Sequence, residues 1–164
     1  MAGSDRNELV TRTPSDLEIV MTRVFDAPRD LVFEAHTSCE HMSHWWGPRE
    51  YEVVSCDIDF RPGGTWRIVH HGRDGNDITF FGEYLEIEAP ERIVWTFNFD
   101  DTTGGPETYT FEEHDGKTTI TSRAMFPSKE LRDAVLASGM ESGAIETYER
   151  LDEYLEVLRT RAAN

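Results

Sequence analysis

The sequence predicts an α+β fold in which a curved seven-stranded antiparallel sheet wraps around a long C-terminal helix. Three observations carry this. Between Tyr51 and Phe126, six β-forming runs follow one another, separated by turn signals. From about Met140 to Leu158, apolar residues recur at steps of three and four, the period of a helix that buries one face. The strands are consecutive and outnumber the helices, which gathers them into one sheet rather than into alternating units. A sheet of this width is too twisted to stay flat. Curling it around the helix buries both apolar faces together and leaves an apolar space between them.

The elements follow in chain order. Residues 1–16 mix Gly, Ser, Asn, Thr and Pro with few apolar residues and are expected to form a disordered arm, followed by one domain over 17–160. Leu17 to Phe25 reads as the first strand. Asp26-Ala27-Pro28 then opens a helix, with Asp26 as cap and Pro28 in the first turn. Leu31, Val32 and Ala35 give it an apolar stripe. Thr37 and Glu40 stand at capping-box spacing and open a second short helix, which Trp45-Trp46-Gly47-Pro48 stops. The six runs cover 51–60, 64–71, 77–88, 91–99, 107–114 and 117–126. Their turns include Arg61-Pro62-Gly63-Gly64, Thr103-Gly104-Gly105-Pro106 and Asp115-Gly116. Ser128 caps a short helix, Ser138-Gly139 interrupts it, and the long helix carries Ile145, Tyr148, Leu151, Leu155 and Leu158 as its stripe.

The charge balance narrows the partners. Sixteen basic residues against 32 acidic ones give a net charge of −16. A chain this acidic repels phosphate backbones and anionic membrane surfaces, so neither nucleic acid nor membrane is expected as a partner. No apolar run approaches the roughly 20 residues of a membrane-spanning helix. The polar N-terminus lacks the apolar core of a signal peptide, so a reducing cytoplasm is the expected location. Cys39 and Cys56 match neither a disulfide framework nor a zinc ribbon and read as buried or idle thiols. An antiparallel sheet with free edges permits a homodimer.

Five segments, in this order, resemble the Activator of Hsp90 ATPase homologue 1-like family of the START/Bet v1-like superfamily. They are Phe25-Asp26-Ala27-Pro28, Trp45-Trp46-Gly47-Pro48, Asp59-Phe60-Arg61-Pro62-Gly63-Gly64, Glu91-Arg92-Ile93-Val94-Trp95-Thr96-Phe97 and Gly139-Met140-Glu141-Ser142-Gly143. The resemblance implies a helix-grip fold. It also implies one of three roles: binding a hydrophobic ligand between sheet and helix, an enzyme of cyclase or hydrolase type acting on an aromatic or polyketide-like substrate, or an Hsp90-type regulator. Fold analogy alone does not choose among them. Where such relatives often carry Trp after the glycine matched by Gly143, this chain has Ala144, which is expected to enlarge the cavity or shift its mouth.

Strand alternation and the helix stripe nominate Trp46, Trp66, Trp95, Phe97, Tyr109, Ala144 and Tyr148 as the lining of that cavity. No nucleophile, phosphate-loop or dinucleotide motif is present, and no cofactor is expected. His41 and His44 lack a third ligand at settled spacing, so they read as exposed or capping rather than metal-binding. His70 and His71 point to opposite sheet faces, so at most one faces a cavity. An enzyme would need a titratable pair inside, with His70 or His71 beside Glu83 or Tyr109 as the candidates. Asp59 is expected to bond turn amides, and Glu91 and Arg92 to pair with neighbours.

Overall fold

The computed structural model describes residues 8–163, the side chains of 162 and 163 excepted. Among the described residues the strands are β1 (Val10–Arg12), β2 (Glu18–Phe25), β3 (Tyr51–Ile58), β4 (Thr65–Gly72), β5 (Asp77–Glu88), β6 (Arg92–Phe99), β7 (Thr102–His114) and β8 (Lys117–Met125). The helices are α1 (Arg29–Glu34), α2 (Cys39–Met42), α3 (Lys129–Ala137) and α4 (Met140–Ala163). All strands join one antiparallel sheet in the order β1-β2-β8-β7-β6-β5-β4-β3. Register shifts at Val53/Ser55, Tyr84/Glu86 and Phe97/Asn98 break the ladders locally, and such bulges bend a sheet and strengthen its twist. One face carries Phe25, Trp66, Ile93, Trp95, Phe111 and Ile120. These share a buried cluster with Leu151, Leu155 and Leu158 of α4.

The sheet has eight strands rather than seven. The extra one, β1, lies inside the segment expected to be a disordered arm and pairs with Val20–Thr22 at the sheet edge. Leu9, just before it, packs against the core cluster, but one partly buried apolar residue gives no alternating pattern to read in the sequence. The rest of the arm up to residue 7 lies outside the described residues.

Thr103-Gly104-Gly105-Pro106 is not a turn. It belongs to β7, and the chain reverses instead at Asp100, where φ is 50°. The glycines serve close approach: a Cβ at Gly104 would collide with the Phe97 carbonyl, and one at Gly105 with the Met125 carbonyl.

Local caps also differ from expectation. Pro28 occupies the cap position of α1 without a side-chain bond, while Asp26 accepts from Lys117 Nζ at 2.6 Å. Ser38, not Thr37, caps α2 by accepting from the His41 amide, and Thr37 Oγ1 donates to the Glu34 carbonyl. Ser128 caps α3 as expected. Ile145 points outward, because the buried face of α4 runs through Tyr148, Leu151, Tyr154, Leu155 and Leu158.

The two cysteines are not idle thiols. Cys39 and Cys56 form a disulfide, with Cα atoms 5.8 Å apart, that ties the start of α2 to β3. Their 17-residue separation matches no motif, so only the packing of α2 against the sheet edge could bring them together.

Candidate functional site

The cavity forms where α4 begins. Its first turns present Gly143, Ala144 and Thr147, side chains too small to reach the sheet, and a space of about 530 Å³ remains beneath them. Alternation along β6 turns Trp95, Phe97 and Phe99 into this space. Phe80 of β5 and His70 of β4 extend the aromatic floor on one side, and Glu107 and Tyr109 of β7 on the other. Phe80 lies 5.7 Å from Phe97 and 4.9 Å from His70, so the rings form a continuous surface.

The rim is the loop after α2, Trp46-Gly47-Pro48, which Arg150 anchors from α4. Its Nη1 donates to the carbonyls of Trp46 at 3.0 Å, Gly47 at 2.8 Å and Pro48 at 3.3 Å. Gly47 has φ of 87°, and a Cβ there would stand 2.6 Å from His70 Nδ1. Glycine is therefore required both by the backbone and by the imidazole packed against it.

Of the residues nominated from sequence, Trp46, Trp95, Phe97, Tyr109, Ala144 and Tyr148 border the space. Trp66 does not. It stacks behind Trp95 at 4.0 Å between ring centroids and donates from Nε1 to the Thr96 carbonyl, which makes it a support for the floor.

The histidines divide as alternation requires. His70 turns inward, and His71 turns outward to Asp77. His44 is exposed, as expected, and stacks on the Tyr154 ring at 4.7 Å; His41 is half-buried, with its Nδ1 2.6 Å from the Tyr154 hydroxyl. Glu83 is exposed. Asp59 pairs with Arg61 Nε at 2.9 Å instead of bonding turn amides through its carboxylate. Glu91 pairs with Arg29, and Arg92 with Glu86 and Glu88.

The electrostatics centre on Glu107, a residue that reading the strand from position 107 onward left at its edge. It is buried and accepts a hydrogen bond from Trp95 Nε1 at 2.8 Å. Burial raises its pKa, and the Trp95 indole and nearby Tyr109 hydroxyl offset only part of that. Burial and the Glu107 charge raise the phenols of Tyr109 and Tyr148, which therefore keep their protons. His70 is 3% exposed, and burial lowers its pKa to about 4. His36, against Trp45 at the inner end of the space, is likewise lowered to about 4 by burial, with its Nδ1 2.8 Å from the Val32 carbonyl. Both imidazoles are neutral at neutral pH. Two bordering groups have no hydrogen-bond partner among the described residues: Trp46 Nε1, and both ring nitrogens of His70.

A long helix gripped by an antiparallel sheet, with two short helices between β2 and β3 and an internal cavity, defines a helix-grip protein of the Bet v1-like fold. The model of the Activator of Hsp90 ATPase homolog 1-like protein family matches residues 26–156, and the chain belongs to that family. A solved structure from Rhodobacter sphaeroides is similar at TM-score 0.85 and 26% identity, over 92% of this chain and 99% of its own. One from Nitrosomonas europaea is similar at TM-score 0.82 and 23% identity, over 90% and 99%. The AHSA1 protein from Silicibacter pomeroyi is similar at TM-score 0.67 and 19% identity, over 85% and 98%. No curated protein matches the chain in sequence.

Proposed function

We propose that the protein binds a small hydrophobic molecule in the cavity between the sheet and the start of α4. The observation that carries this is one space of about 530 Å³ floored by Trp95, Phe97, Phe99 and Phe80. That volume falls in the range of roughly 300–1,000 Å³ common for small-molecule sites. The apolar body of a bound molecule covers Phe80, Phe97 and Trp95, rings that already form a continuous surface.

Native mass spectrometry of the purified protein, with a thermal-shift screen of aromatic and aliphatic lipophiles, tests this reading. Adducts or upward shifts that disappear when Phe97 is replaced by Asp support it. Neither an adduct nor a shift across the panel contradicts it.

A second, catalytic reading draws on one observation. His70, Tyr109 and Glu107 meet the requirement for titratable groups inside the cavity, with Glu107 in the place considered for Glu83. An enzyme acting on an aromatic substrate would lose turnover in Glu107→Ala while a non-reacting probe still bound.

The expected cytoplasmic setting and the Cys39–Cys56 bond pull in opposite directions, since reducing compartments keep thiols free. A thiol count on protein taken directly from cells decides between them.

A further inference from the structure

The charge of the cavity wall is one-sided. Among the described residues, every charged side chain that borders the space is a carboxylate: Glu107 at its base, Glu50 and Glu146 toward the rim. No Lys or Arg borders it. Nearby cations are committed elsewhere. Arg150 spends its guanidinium on the loop carbonyls, Arg49 is paired with Glu153, and Arg23 lies 3.8 Å from Asp152 and over the Phe25 ring. The histidines are held neutral. The whole chain adds a field of the same sign, with its net charge of −16.

Glu107 itself sits among aromatic groups. Trp95 lies directly across from it in the sheet pairing and donates its indole N–H to the carboxyl, Tyr109 lies two residues on along the same strand with its ring centroid 5.5 Å from that of Trp95, and Tyr148 of α4 is close enough to feel its charge. Aromatic faces attract cations, most strongly where water is excluded. A desolvated carboxyl in such a wall, which holds no positive charge, is matched to a cation and repels an anion. On these grounds, and resting on the ligand-binding reading above, we infer that the molecule taken by the cavity is a lipophilic organic cation, its ammonium group seated against Glu107 between Trp95, Tyr109 and Tyr148. The apolar remainder lies along Phe97 and Phe80.

Three probes of matched shape test this: naphthylmethyl-trimethylammonium, its uncharged carbon isostere neopentylnaphthalene, and the anion naphthylacetate. Affinities are measured by fluorescence titration of the full-length protein at neutral pH and low salt. The cation should bind about tenfold or more tightly than the isostere, and the anion weakest. In Glu107→Gln, which keeps the shape and an acceptor for Trp95, the ratio of cation to isostere affinity should fall close to one. Equal binding of cation and isostere by the unaltered protein overturns the inference, as does preference for the anion. Both results leave the hydrophobic pocket standing. A cation preference that survives Glu107→Gln, in a variant whose melting temperature shows it folded, overturns the seat at Glu107. Failure of all three probes to bind removes the ligand-binding reading and this inference with it.

Discussion

Along α4 the sheet meets two different surfaces. In the C-terminal half, Leu151, Leu155 and Leu158 descend into a cluster with Phe25, Val32, Phe111 and Ile120, and little space remains. In the N-terminal half the facing positions are Gly143, Ala144 and Thr147, and the sheet offers Trp95, Phe97, His70 and Glu107 to an open cavity. The backbone is continuous through both, so side-chain volume on one helix face is enough to separate a packed core from a binding space. The buried carboxyl of Glu107 and the imidazole of His70 border the cavity, not the packed half.

The largest expected effect breaks the packed half. Leu151→Ala, at a fully buried position, should destabilise the protein by about 3–5 kcal/mol, since the cavity left behind adds to the lost transfer energy. Thr147→Ala, on the open half, should cost far less. Urea denaturation of the two variants, read as midpoint shifts, checks the contrast. Equal losses would mean that both halves are packed alike.

The disulfide holds α2, and through it the rim loop, against the sheet edge. Serine at both Cys39 and Cys56 should cost about 3 kcal/mol, as expected for a closed loop of this length. Because Trp46 follows that helix, the same variant should also weaken probe binding.

Acid should affect the open half first. The native pKa of His36 and His70, about 4, lies below the ordinary value of 6.5. The unfolded chain therefore takes up protons before the folded one. Stability is full above about pH 6.5 and is lost as pH falls toward 4, by at most about 3 kcal/mol for each residue. Glu107 works in the opposite sense: its raised pKa lets the folded state keep a proton longer, so its ionisation costs stability as pH rises. Replacing His70 by Leu isolates one share, and the slope of urea midpoint against pH between 4 and 6.5 should become shallower. An unchanged slope would place His70 in contact with solvent.

The smallest effect sharpens the comparison. A Cβ at Gly143 would meet only Pro48 Cγ at 3.5 Å, an ordinary contact. Gly143→Ala should therefore stabilise the helix by about 0.5–1 kcal/mol. A lower melting temperature would show that the rim loop already presses on the helix.

Much of this division can be read from the residues themselves. The strands from Tyr51 onward, the break at Ser138-Gly139 and the inward alternation of Trp95 and Phe97 are local patterns, and local patterns survive folding. The features that could not be read depend on distant partners. Gly104-Gly105 carries the composition of a turn, yet lies in a strand because neighbouring carbonyls come too close for a side chain. The Cys39–Cys56 bond joins elements whose proximity only the fold creates. Trp66 and Trp95 both face inward, and only their stacking decides that one borders the cavity while the other supports it. Glu107 was within reach. It stands two residues before Tyr109 and four before Phe111, on the face those two mark as inward, but a carboxylate there reads as the polar end of a strand until β7 is seen to begin at Thr102.

Ala144→Trp tests most directly whether the start of α4 encloses a usable space. An indole placed in open volume gains contact, whereas one forced into a packed core costs about 1–3 kcal/mol. Melting temperature and titration with a lipophilic fluorescent dye are measured on both forms. An open cavity predicts a melting temperature equal to or above that of the unaltered protein, together with a loss of dye affinity of about tenfold or more. A clear drop in melting temperature, or dye binding that does not change, would contradict the existence of a ligand site between the sheet and the start of α4.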